Sequence, residues 1–205
     1  MSPTVTTPTP TTPAPNLAQI RKAYQVTDVE WAGPPEEDQE PCDREFWAKC
    51  IVDAAAATDH AREAMMAAER GDLQVAAEHA SRAWFLALPL GSDWTGPLGQ
   101  FSDAIRAAIG TLTIREAYRH VQGARTGGDR VATVRAANYA REAMAEVERA
   151  ARTEWGALDE RHGMAEAQDL AWRARDAAEQ GGAESAAPYF HFCHTIYTVV
   201  EGTNL

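Results

Sequence analysis

A chain of 205 residues, 45% of them hydrophobic, is long enough for a helical domain with a substantial core. Its formal net charge of −11 and sequence pI near 5.0 oppose a phosphate-binding surface, which needs clustered cations. The three cysteines, Cys42, Cys50 and Cys193, match neither a disulfide framework nor a common zinc spacing, and no apolar run approaches the roughly 18 residues of a membrane span.

The expectation is an all-α, cytoplasmic protein, an antiparallel helical bundle or helical-hairpin array. Residues 1–16 read as a disordered Thr/Pro-rich tail and 17–205 as a single all-helical domain. The 17 arginines far outnumber the 2 lysines but are interleaved with Glu and Asp, as on solvated helix faces. Nucleic acid and membrane are thus disfavoured as partners, and no motif calls for a cofactor. The Ala, Arg and Glu bias points to a GC-rich bacterial genome.

In chain order, Asn16 suits the cap of a short helix over Leu17–Tyr24. Residues 26–42 break regular structure with Gly33-Pro34-Pro35 and an acidic run, and Trp31 is expected to staple that loop to the core. A helix over 43–70 carries the stripe Trp47, Cys50, Ile51, Ala54, Ala57, Ala61, Ala64, Met65 and Ala68, with Asp53, Asp59, His60 and Glu63 opposite. Gly71-Asp72 forms a corner, Asp72 capping the next helix, which buries Leu73, Ala76, Ala80, Ala83, Trp84 and Leu88 and stops at Pro89.

This hairpin resembles one unit of a tetratricopeptide protein, with Gly71-Asp72 at the corner and Ala76 and Ala83 where that family keeps small residues. Pro89 falls one residue late for the closing proline. The resemblance spans about 30 residues, with no constant 34-residue period. It implies helix-hairpin packing and a binding role.

Pro97 suits the first turn of a further helix, and Thr113-Ile114-Arg115-Glu116 has capping-box spacing, predicting a break near 110–113. One bent helix is the alternative. After Gly127-Gly128-Asp129, apolar residues from Val134 to Leu158 recur at helical spacing, predicting one helix of roughly 45 Å ended by Gly163. A helix over 164–180 and a last one over about 186–201 complete the chain.

Ala61-Arg62-Glu63-Ala64-Met65 recurs as Ala140-Arg141-Glu142-Ala143-Met144, and Glu69-Arg70 recurs in register as Glu148-Arg149. A looser echo links Ala67–Gly71 with Ala177–Gly181. Two related hairpins and chance convergence of Ala-, Arg- and Glu-rich helices both explain these matches.

Candidate site residues gather near the C-terminus. His191 and His194, three apart, can reach one ion or serve as acid–base groups, whereas Cys193 points away from both. Two ligands need a carboxylate from another helix, and the competing reading is a wet polar face. His60 with Glu63 and Glu116 with His120 are further pairs, but none has the Glu-x-x-His order of di-iron bundles. Trp172 lies off its Ala stripe and is the best interface anchor, with Tyr189 and Tyr197 as companion binding candidates. The sequence therefore predicts a non-enzymatic scaffold or adaptor binding another protein, or a second copy of itself, through an Ala- and Trp-lined face. The alternative is a small-molecule enzyme with its pocket beside the aromatic C-terminal helix.

Overall fold

The computed structural model describes residues 16–28, 41–124, 129–151 and 158–202. Among these the fold is all-α: α1 (Leu17–Gln25), α2 (Pro41–Glu69), α3 (Leu73–Ala87), α4 (Ser92–Gln122), α5 (Arg130–Ala150), α6 (Leu158–Gln180) and α7 (Ala183–Gly202). A 3-10 turn over Leu88–Leu90 joins α3 to α4. The expectations placed on the tail, on the 29–40 loop with Trp31, and on residues 152–157 of the long helix fall outside the described residues.

Alanine sets the packing. A helix face of Ala lets a neighbouring backbone approach closely, so the α2–α3 and α5–α6 hairpins zip along buried Ala stripes. Ala57, Ala64, Ala76, Ala80, Ala83 and Ala87 are fully buried in the first hairpin, as are Ala136, Ala140, Ala143, Ala167, Ala171 and Ala174 in the second. So close an approach leaves little room for large side chains. Ile51, Trp84 and Leu88, expected inside, are instead 53%, 40% and 45% exposed.

Local signals were only partly decisive. Gly71 is left-handed (φ 82°), and the corner closes with Gly71 N–H donating to Ala68 O and Asp72 N–H to Ala67 O. Neither Asp72 nor Asn16 makes its expected side-chain cap, whereas Asp129 accepts from Val131 N–H at 2.8 Å. No break occurs near 110–113. Thr113 donates its hydroxyl back to Ile109 O within an uninterrupted α4, and Gly110 serves close approach, since a Cβ there would sit 2.6 Å from Val199 Cγ1. The helix expected to run from 130 to Gly163 stops at Ala150, and Gly163 lies inside α6.

The structure extends the internal echo to the whole fold. Two cores are present: one built by α1, α2, α3 and the first half of α4, the other by the second half of α4 with α5, α6 and α7. They follow one plan. α1 and the second half of α4 carry a matching segment, Ile20-Arg21-Lys22-Ala23-Tyr24 against Ile114-Arg115-Glu116-Ala117-Tyr118. Both isoleucines are buried, and Arg21 pairs with Glu69 (2.9 Å) as Arg115 does with Glu148 (3.2 Å). Tyr24 packs on Phe101 with ring centroids 5.4 Å apart, and Tyr118 on Phe192 at 5.6 Å. From Leu73 and Met164 onward the two run a constant 91 positions apart, through Gly91 and Gly182 (φ 94° and 114°), Pro97 and Pro188, and Ile105 and Ile196. This register pairs α3 with α6 and the first half of α4 with α7, while the echo of Ala61–Met65 in Ala140–Met144, 79 positions on, pairs α2 with α5. The looser echo of 67–71 with 177–181 therefore matches non-equivalent helices.

Candidate binding groove on α6 and α7

Helices α6 and α7 pack antiparallel after the turn at Gly181-Gly182. Along α6, Ala171, Ala174 and Ala178 face inward, which turns Trp172 outward by the 100° step of the helix. Along α7, Phe192, Cys193 and Ile196 are buried, so Phe190, His194 and Tyr197, at spacings of four and three, share the outer face. The two faces meet in a groove of about 280 Å³ lined by Trp172, Arg175, Phe190, Cys193, His194 and Tyr197.

Three aromatic rings are left partly open to solvent there: Trp172 at 41%, Phe190 at 42% and Tyr197 at 43% exposure. The Arg175 guanidinium carbon lies 3.9 Å from the Trp172 ring centroid and 5.2 Å from that of Phe190, within cation–π range of both rings. Arg175 also donates to Asp176 through Nε (3.0 Å) and a terminal nitrogen (2.6 Å). The floor is chemically quiet. Burial pushes the Cys193 thiol up, with the Arg175 charge acting the other way and Asp176 adding to the rise, which disfavours the thiolate.

Of the residues singled out in the sequence, Trp172, Tyr197 and His194 come together in this groove, while Tyr189 does not reach it. Tyr189 is 3% exposed, and burial beside Tyr118 holds its hydroxyl above its usual range. His191 is exposed on α7 with its ring 6.2 Å from that of His120 on α4. Among the described residues no three His, Cys, Asp or Glu side chains are grouped to hold a metal ion. The Ala stripes of α2, α3, α5 and α6 are buried between helices. Phe190 and Arg175 were missed; the available signal was their helical spacing from Tyr197 and Trp172.

Position 91 residues earlier, the equivalent surface on α3 and α4 has different chemistry. Trp84 stands where Arg175 does, Gly99 where Phe190 does, and the indole lies over that glycine, 3.5 Å from where a Cβ would be. Compared with models of protein families, with curated proteins and with solved structures, the chain matches none.

Proposed function

We propose that the protein is a non-enzymatic cytoplasmic scaffold that binds a protein partner by seating an apolar side chain among Trp172, Phe190 and Tyr197. The supporting observation is the guanidinium of Arg175 in cation–π contact with two open rings. Exposed aromatic surface is costly in water, and rings already ordered lose little freedom when a partner covers them. The groove residues include no carboxylate to work with His194, so binding is better supported than bond-making. Among the described residues no helix is long and apolar enough to cross a membrane.

A photo-crosslinking residue at position 197, compared with one at 106 on the equivalent first-unit surface, tests this reading. A defined adduct formed in cells at 197, absent at 106 and lost in Trp172→Ala, is expected. Equal labelling at both positions, or none at 197, would overturn it. Sedimentation of the native chain separates a foreign partner from a second copy of the chain.

A further inference from the structure

The second observation lies on the other hairpin and does not depend on the groove. His60 of α2 and His79 of α3 meet across the seam with their Nδ1 atoms 3.0 Å apart and ring centroids 5.2 Å apart. Both imidazoles are half-buried, and His60 also borders an open groove of about 360 Å³ with Ser81, Arg82, Phe85 and Leu86. The fold itself does not require imidazoles here. In the second unit the corresponding positions are Tyr139 and Leu170, partly buried side chains packed against the second core.

We propose that His60 and His79 form a two-histidine site for a divalent transition-metal ion, Cu²⁺ or Ni²⁺, with water in the remaining positions. An ion 2.0–2.1 Å from each nitrogen across that 3.0 Å chord subtends about 90–100°, the cis angle of square-planar or octahedral coordination and narrower than the tetrahedral angle of zinc. The proton balance is simple. In the neutral pair one Nδ1–H donates to the other Nδ1 almost head-on; on binding, that proton moves to Nε2 of its own ring, each imidazole turns about its Cβ–Cγ bond to aim its Nδ1 lone pair at an ion beside that line, and nothing is oxidised or released. The local field is mixed, Asp59 and Glu63 favouring a cation beside His60 and Arg82 opposing it. Among the described residues no carboxylate from another helix is grouped with the pair, so water or an anion entering through the open groove has to complete the coordination.

The test titrates the full chain, made without a polyhistidine tag, with Cu²⁺ and Ni²⁺ chloride, read by calorimetry and by nitrogen splitting in the Cu²⁺ paramagnetic resonance spectrum. One equivalent of Cu²⁺ with a two-nitrogen signature is expected, weakened about tenfold or more in His60→Ala or His79→Ala and unchanged in the double variant His191→Ala, His194→Ala. The pair His60→Tyr with His79→Leu, which copies the second unit and so keeps the fold, should lose the two-nitrogen signature. Absence of that signature in the native chain, its survival in the Tyr/Leu variant, or its loss with His191 and His194 would overturn the assignment.

Discussion

At Gly110 a single hydrogen in place of a methyl group lets α7 lie against the middle of α4. Alanine there would place its Cβ 2.6 Å from Val199 Cγ1, so Gly110→Ala is expected to destabilise the fold by about 1–3 kcal/mol through overpacking. Adding Val199→Ala should restore part of that loss, and urea denaturation of the single and double variants measures both. His60 supplies a second expectation. Desolvation first, then the His79 and Arg82 charges, hold its imidazole below the usual value of 6.5, while Asp59 and Glu63 act the other way. A group with a depressed pKa binds fewer protons folded than unfolded, so its effect is a loss of stability as pH falls below about 6.5. Proton NMR should show His60 titrating below 6.5, moving upward in His79→Ala. Gly110 also shows why a residue was misread: in sequence it resembles a helix stop, because the partner it makes room for lies 89 positions away.

For whole helices, the alternation of small and polar residues made the all-α class and most boundaries legible. It could not say which face of an Ala-rich helix is buried, because alanines occur all round α2 and the large residues are excluded from the seam. His60 was read as solvent-facing for that reason, and its contact with His79 depends on the hairpin's rotation, which no local spacing encodes. The groove was half legible: Trp172 and Tyr197 stood out as aromatic residues, but Arg175 looked like one more surface cation until α6 and α7 were docked. The matched aromatic pairs of the two units give a direct comparison. Phe101→Ala and Phe192→Ala remove fully buried rings from equivalent places, and each should cost about 3–5 kcal/mol by chemical denaturation. A cost confined to one of them would argue against a shared packing plan.

Taken as a whole, the chain places two cores on one uninterrupted 31-residue helix. Leu112 lies on the exposed side of α4 near their junction, so Leu112→Pro removes one backbone bond and clashes with the preceding turn while disturbing little packing. The expected result is a loss of about 3 kcal/mol and a split of the single denaturation transition into two, followed by fluorescence and circular dichroism. If His60 and His79 bind Cu²⁺ as proposed, the ion is expected to raise only the transition of the first core.

The same correspondence bears on how the chain can change over time. Because each copy holds its own interior, a substitution on the outside of one leaves the frame of its twin intact. The histidine pair in the first and the aromatic-lined groove in the second are therefore free to be lost, sharpened or replaced separately. A chain built this way can take on a new task without surrendering the old one.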